Sequence, residues 1–372
     1  LFVISFFGGI IEMNSKTKKI VSFGLVFASL GLVLSACSGQ KSGNSSKNAK
    51  HSIALITDSN GVDDRSFNQA AWSGFKAYGK QHGLKRGNGG YQYFESSSAS
   101  DYVPNMTQAA NANFQTIYGV GYMLTDAIKT SAKKYPKKNF VIIDDVAPTK
   151  KNICSVTFKS NEASYLAGVA AAETTKTNVV GFIGGTHSTV IDLFDAGFTK
   201  GVKDTAKKEG KKITVLNQYV GNFTSADKAK SIAQSMYAKK ADIIFHAAGN
   251  AGNGLFQEAK SINQTRSANK KVWAIGVDSD QNPQGKYTAK GGQKSNFTLT
   301  SVMKGLKVAV LDTANRAYKG KFPGGKHLVY GLKDNGVSIT KGHMSTKAWN
   351  ATQTAKKNII SGKIKVPTSP SK

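Results

Sequence analysis

The sequence predicts an α/β protein built from two doubly wound parallel-sheet lobes, and three observations carry that expectation. From His51 onward, short β-rich apolar runs alternate with longer amphipathic stretches, the rhythm of strand and covering helix. Several of the short runs are apolar at nearly every position, as strands covered on both faces must be. About ten such runs are too many for one comfortable sheet, so two lobes are the economical arrangement, with a seam near residues 157–160.

In chain order, "HSIALIT" is the first strand, and "SFNQAAWSGFKAYGKQHG" is a helix that carries Phe67, Trp72 and Phe75 at helical spacing. Trp72 and Phe75 are assigned to its core face. The strands "YQYFES" and "FQTIYGV" follow, then the helix "TDAIKTSAKKYPKK" and the strands "NFVIIDD" and "ICSVTFK". Cys154, in the last of these, falls in an alternating pattern and is expected to be a small buried residue. The helix "NEASYLAGVAAAETTKT" opens the second lobe, where Glu162 is expected to hold the helix start at the hinge. The remaining strands are "NVVGFIGG", "KITVLNQYV", "ADIIFHAAG", "KVWAIGVD", "NFTLTSV" and "LVYGLKD". Residues 51–157 with 280–318 are expected to form one lobe, and 158–279 with 319–372 the other.

The first 36 residues stand apart from this fold. From Met13, the expected true start, Lys16, Lys18 and Lys19 precede an apolar region and a small-residue cleavage site, the pattern of a signal peptide. Leu34-Ser35-Ala36-Cys37 resembles the lipobox of bacterial lipoproteins. That resemblance implies cleavage before Cys37, a lipid on its sulfur and tethering to the outer face of a membrane. Residues 38–50, "SGQKSGNSSKNAK", read as a flexible tether. With Cys37 lipidated, Cys154 is alone, so the body relies on its core and not on disulfides.

The 372-residue chain carries 51 Lys and Arg against 22 Asp and Glu, a formal charge of +29. The lysines lie singly and in pairs over helical stretches such as "KDTAKKEGKK" and "SADKAKSIAQSMYAKK", with no arginine cluster. Nucleic acid is therefore not an expected partner. On an extracellular protein the excess favours proximity to anionic lipid heads and wall polymers.

Ligands of doubly wound sheets bind beyond the carboxyl ends of the strands. The residues there are rich in carboxylates, amides and aromatic rings: Asp58 to Asn68, "GYMLTDA", "THSTVIDLFDAGF", "NAGNG", "DSDQ" and "MKGL". An enzymatic reading starts from Asp58, Asn60, Asp63 and Asp64, which partly echo the calcium-binding aspartate cluster of nucleoside hydrolases. Asn60 departs from that pattern, which wants an aspartate there. No HExxH or zinc spacing and no nucleophile elbow accompanies the cluster; "GNAGNG" is out of order for GxGxxG, and "GGTHST" lacks the lysine of a P-loop. Neither an enzyme, a metal site nor a cofactor is expected. Asp63 and Asp64 are instead expected to cap the helix that starts near Ser66.

The segments "TDSNGVDDRSFNQAAWSGF", "GYMLTDA", "NEASYLAGVAA", "GNAGNGLFQEA" with "AIGVDSDQ", and "TSVMKGL" together resemble the basic membrane protein family. Its members are substrate-binding lipoproteins of ABC transporters, typified by the purine nucleoside receptor. The resemblance covers essentially the whole body. It implies the type I periplasmic-binding-protein fold, with the ligand in the interlobe cleft. It further implies that Phe67 and Phe194 stack on the two faces of a base, that Asn68 bonds its edge, and that Asp126 accepts from its N–H groups. Asp278 and Lys304 would clamp the ribose hydroxyls, amides of the Gly249, Gly252 and Gly254 loop would line the sugar end, and Asp58 would border the pocket. Phe194 has Phe198 one helical turn on, and either ring suits the core equally well.

The function expected from these readings is a monomeric receptor on the outer membrane face that delivers nucleosides, purines foremost, to an ABC transporter permease. Arg65 alone among arginines lies near the site, so neutral nucleosides suit it better than nucleotides. A calcium-dependent nucleoside hydrolase, a sugar-binding protein and a wall-interacting lipoprotein are the alternatives.

Overall fold

The computed structural model describes residues 51–370. The expected signal peptide, Cys37 and the tether of residues 38–50 lie outside the described residues. The described residues fall in one compact unit, and every apolar core cluster lies within it.

Six strands, β1 (Ile53–Ile56), β2 (Tyr91–Phe94), β3 (Thr116–Val120), β4 (Asn139–Ile143), β5 (Ile153–Phe158) and β13 (His327–Tyr330), form a first sheet. A second sheet holds β6 (Val179–Gly184), β7 (Thr214–Tyr219), β8 (Ile243–Ala247), β9 (Trp273–Asp278), β12 (Thr298–Lys304) and β14 (Val337–Ile339). The orders are β13-β5-β4-β3-β1-β2 and β14-β12-β9-β8-β6-β7, parallel throughout except for β14, which runs antiparallel to β12. A small hairpin, β10 (Lys286–Thr288) with β11 (Lys294–Asn296), is separate from both. The expected strands all form. Sequence reasoning missed β10, β11 and β14, which are three residues each and too short to show a period.

Nine helices connect the strands among the described residues: α1 (Phe67–His82), α2 (Tyr102–Asn111), α3 (Thr125–Lys134), α4 (Ser160–Thr174), α5 (Thr189–Lys208), α6 (Ala226–Ala238), α7 (Asn253–Gln264), α8 (Leu306–Tyr318) and α9 (Thr346–Ile360). None is long and apolar enough to cross a membrane. Trp72 and Phe75 are buried on the inner face of α1, as expected. Cys154 is buried in β5, where burial pushes its thiol up to about 12. Helix α4 is apolar on nearly every side and is accordingly buried, packing on α5 and α9.

Contact between α4 and α5 depends on glycine. A Cβ on Gly168 would stand 2.2 Å from the Phe198 carbonyl oxygen, one on Gly197 2.2 Å from that of Asn161, and one on Gly201 2.1 Å from that of Tyr165. The two backbones therefore touch directly, and Ser164 Oγ donates to the Phe194 carbonyl across the contact. This helix pair sets the position of the first turn of α5, which reaches the functional cleft.

The chain crosses between the sheets three times: from β5 into α4, from β12 through Gly305 into α8, and from β13 to β14. The first crossing is the expected seam. The crossings are bound together: Lys159 N–H donates to the Tyr330 carbonyl at 2.8 Å, and Gly305 N–H to that of Gly336 at 2.7 Å. Glu162 accepts from Leu332 N–H at 2.8 Å and pairs with Lys159 at 3.3 Å, so it joins two crossings at the helix start. The expected lobe boundaries need correction on this point. Strand β12, within the 280–318 segment assigned to the first lobe, pairs with β9 in the second sheet. Strand β13, within 319–372, pairs with β5 in the first. Each change of sheet occurs at one or a few residues with no linker composition, so the sequence carries no mark of it.

Adding a methyl group at the helix contact tests this packing. Gly201→Ala is expected to lower unfolding stability by about 1–3 kcal/mol through forced separation of α4 and α5, measured as a shift of the urea midpoint at unchanged slope.

Candidate functional site: a carboxylate-rich interlobe cleft

Both sheets share the order in which the second strand lies outside the first and the third on its other side. The topological switch point thus lies between β1 and β3 in one sheet and between β6 and β8 in the other. A cleft open to solvent lies at these strand ends, lined by residues of both sheets. The first sheet contributes Asp58, Asn60, Asp64, Phe67, the 121–123 turn and Asp144; the second contributes Phe194, Phe223, Gly249, Asp278 and Lys304 among others.

At the end of β1, Asp58 Oδ1 accepts from Asn60 N–H at 2.9 Å, Asn60 Nδ2 at 3.1 Å and Asn68 Nδ2 at 2.7 Å. Burial raises its pKa, opposed by these donors. Asp64 caps α1: its oxygens accept from the backbone N–H groups of Ser66, Asn68 and Gln69 at 2.8–3.1 Å. Its side chain is nevertheless buried deeply enough to be pushed up to about 6, with a smaller contribution from the charge of Asp58. The capping expected of Asp63 and Asp64 is thus performed by Asp64, while Asp63 is exposed.

Asp278 ends β9 in the left-handed region, at φ 63°, and accepts from Ser66 Oγ at 2.6 Å. Ser279 Oγ and Gln281 Nε2 donate to the Arg65 carbonyl at 3.0 and 3.2 Å, so the β9 loop is stitched to the entry of α1. Burial raises the Asp278 carboxyl, and the charge of Lys304 is the main opposing influence. Lys304, at the end of β12, forms a buried ion pair with Asp144 at the end of β4. Its ammonium also lies 4.9 Å from the centre of the Phe67 ring and 5.6 Å from that of Phe194, within cation–π range.

Of the expected site residues, Asp58, Phe67, Phe194, Gly249, Asp278 and Lys304 line the cleft. Phe194 is both core and wall, while Phe198 is wholly buried against Phe182 and Phe245. Gly249 adopts φ 54°, a conformation open to glycine.

Three expectations are corrected. Asn68 lies behind the wall, its amide N–H groups taken up by Asp58 and Asp64. Asp126 is 91% exposed and paired with Lys129 at 2.5 Å, because the turn Tyr122–Leu124 intervenes between β3 and α3 and gives the cleft Tyr122 and Met123 instead. Gly252 packs on the buried His246, where a Cβ would meet Nδ1 at 1.9 Å. Sequence reasoning also missed Asp144 and Phe223. Asp144 directly follows β4 and Phe223 lies in the loop after β7, so the strand-end rule applied to those two runs finds them.

Four carboxylates and one ammonium therefore face a partly apolar cleft. Among the described residues, no three His, Cys, Asp or Glu side chains are grouped to hold a metal.

A family model described as ABC transporter substrate-binding protein, PnrA-like, matches residues 50–370. The ABC transporter nucleoside-binding protein BmpA of Lactococcus lactis is 43% identical over 353 residues, covering 94% of this chain and 99% of the relative. The CD4+ T-cell-stimulating antigen of Listeria monocytogenes is 44% identical over 361 residues, covering 95% and 99%. Basic membrane protein A of Borreliella burgdorferi is 31% identical over 314 residues, covering 83% and 84%. Among solved structures, an ABC transporter solute-binding protein from Aeropyrum pernix superposes with a TM-score of 0.73 at 20% identity, covering 86% of this chain and 94% of that one. The Lac repressor does so at 0.51 and 10% identity, covering 79% and 81%. These likenesses establish the periplasmic-binding-protein fold.

Removing one member of the buried pair tests its role in holding the cleft. Asp144→Asn leaves the Lys304 charge without its partner and is expected to cost about 3–5 kcal/mol of stability by denaturant titration. Adding Lys304→Met to that variant should restore part of the loss.

Proposed function

We propose a function from one premise: this chain belongs to the family of PnrA-like ABC transporter substrate-binding proteins. It captures a nucleoside, purines foremost, in the interlobe cleft and delivers it to a permease by closing the two lobes, without chemistry. The observation that carries this reading is the conjunction of Phe67, Phe194 and Phe223 with Asp278 and Lys304 in one cleft. Rings supply stacking faces for a base, worth about 1–3 kcal/mol each way of measuring it by substitution. A carboxylate beside an ammonium suits vicinal hydroxyls, which donate to one and accept from the other. The nucleoside-binding BmpA relative supports the ligand class.

The same cleft favours uncharged ligands. Four carboxylates against one lysine oppose a phosphate ester, which would bring negative charge beside buried negative charge. A hydrolase is less well supported: oxygens of Asp58 and Asp64 are engaged by N–H donors from Asn60, Ser66, Asn68 and Gln69. Anchoring through a lipid on Cys37, action as a monomer and location on the outer membrane face complete the proposal. Their support is the Leu34–Cys37 pattern and the basic membrane protein relatives.

Calorimetric titration of the body from Gly43 onward, unfolded and refolded to strip ligand, tests the assignment. Saturable binding of guanosine, inosine or adenosine is expected, with ribose silent and the corresponding 5′-monophosphate bound at least about tenfold more weakly. Silence from every nucleoside overturns the ligand class. Phe67→Ala and Asp278→Asn are each expected to weaken binding about tenfold or more at an unchanged melting temperature; full affinity in both rejects the site.

A further inference from the structure

The hairpin of β10 and β11 stands apart from both sheets, and its two faces differ in kind. Tyr287 and Ala289 are buried, Tyr287 with its ring 5.7 Å from that of Phe297, while Lys286 and Thr288 are exposed. The register pairs Lys286 with Asn296 and Thr288 with Lys294, and residues opposite one another in an antiparallel pair share a face. That face forms one wall of an open hollow of about 800 Å³. Lys260, on the second half of α7, Lys271, two residues before β9, and His343 also line it. Four lysines and a histidine therefore face one hollow, and no carboxylate does. Gln264 lines this hollow and Thr265 the neighbouring one, which holds Arg266, Lys270 and Lys290 and again no carboxylate.

None of these lysines, nor Arg266, is in an ion pair among the described residues. Most are exposed, where water serves in place of a partner. Lys271 differs, because it is half-buried and burial lowers its pKa. Its ammonium donates to Ser295 Oγ at 2.9 Å and to the Asn296 carbonyl at 3.0 Å, and lies 4.5 Å from the centre of the Trp273 ring. An ammonium has three donors, so neutral acceptors take two of them and no anion of the fold balances the charge. Charges taken out of water are ordinarily paired, as Lys304 is with Asp144. Burial and the charge of Lys271 together lower the pKa of His343 as well. The hollow thus concentrates positive charge that the chain itself leaves uncompensated.

We infer that this hollow is a binding site for a polyol-phosphate chain, a linear polyanion with one phosphodiester charge per repeat. Concave walls of one sign focus the field and raise the local concentration of counter-ions. Ammoniums spread around an open groove suit a charge that repeats along a chain better than they suit one small anion. Lysine is a compact point charge without a fork to align, and Gln264 and Thr288 offer hydrogen bonds to the polyol hydroxyls. A single-stranded nucleic acid would need exposed rings for its bases; Tyr287 is buried and Trp273 carries Lys271 over its ring. A flat bilayer would leave the hollow unfilled. Helix α7 starts beside the cleft and ends here, and β9 begins here and ends at Asp278, so the hollow lies at the opposite end of the second sheet from the cleft. A chain held there leaves the cleft free to face a permease. The inference is independent of the ligand in the cleft.

The test is calorimetric titration of the body from Gly43 onward with poly(glycerol phosphate) free of lipid. Saturable binding is expected at about 50 mM salt and its loss at about 500 mM, where the Debye length falls to a few ångströms. The variant Lys260→Gln/Lys286→Gln/Lys294→Gln, which changes only exposed lysines, should bind at least about tenfold more weakly. A control with the same loss of charge at the strand starts of the first sheet, Lys137→Gln/Lys150→Gln/Lys151→Gln, should stay within about twofold of the unaltered protein. Lys271→Gln alone should also weaken binding by about fivefold or more, with the melting temperature of the free protein unchanged. Equal losses in the two triple variants would mean that net charge alone acts, and would overturn the assignment. Full affinity in Lys271→Gln, absence of polymer binding, or tighter binding to phosphatidylglycerol vesicles or to single-stranded DNA at equal charge overturns it too.

Discussion

The architecture turns on one buried ammonium. Lys304 stands at the last residue of β12, immediately before the chain leaves the second sheet through Gly305. An isolated charge at that depth would be costly, and the residue that balances it, Asp144, belongs to the first sheet. One electrostatic requirement thereby ties the two sheets together at the cleft. The same ammonium favours the ionised form of Asp278 against the effect of burial and sits among the rings of Phe67, Phe158 and Phe194. Its neighbours are thus most of the groups proposed to read the ligand. The second link is neutral: Ser66 to Asp278, with the Arg65 carbonyl receiving Ser279 and Gln281. Together they hold the strand ends of opposite sheets within hydrogen-bonding distance of each other.

Much of this was legible in the sequence because the informative signals were local. Buried parallel strands are continuous apolar runs, and each expected run became a strand. The strand-end rule found Asp58, Phe67, Phe194, Gly249, Asp278 and Lys304, which share the cleft. It failed where a side chain's direction depends on a turn. The Tyr122–Leu124 turn carries Asp126 out to solvent, and Asn68 is drawn inward by two carboxylates that no spacing pattern reveals. Asp144 was obscured because it sits inside an apolar run that reads simply as a strand. Its importance comes from a lysine 160 residues away. The lobe boundaries escaped for a similar reason, since the changes of sheet at Gly305 and after Tyr330 are events of pairing and not of composition.

Carboxylates and lysines divide the work of the surface. Between residues 51 and 158 the acidic groups lie beyond strand ends or at helix starts, which is also where the cleft lies, so helix N-termini and ligand groups compete for the same oxygens. Asp64 shows the compromise: it serves three backbone N–H groups at the start of α1 while lining the cleft, and burial holds its pKa near 6. The cleft is in this sense built from helix caps, and its electrostatic character follows from the fold's own end effects.

The interleaved crossings bear on how the molecule is made. The first sheet has β5 at its edge until β13 is laid beside it, and β13 is encoded at His327–Tyr330, after nearly all of the second sheet. An exposed edge on a buried-type parallel strand invites pairing with other chains. During synthesis the first sheet therefore stays open along β5 until β13 has been made. Maturation of both sheets is deferred to the same late moment, so a chain shortened from its C-terminal end before β13 would lose the closing strand of the sheet it made first.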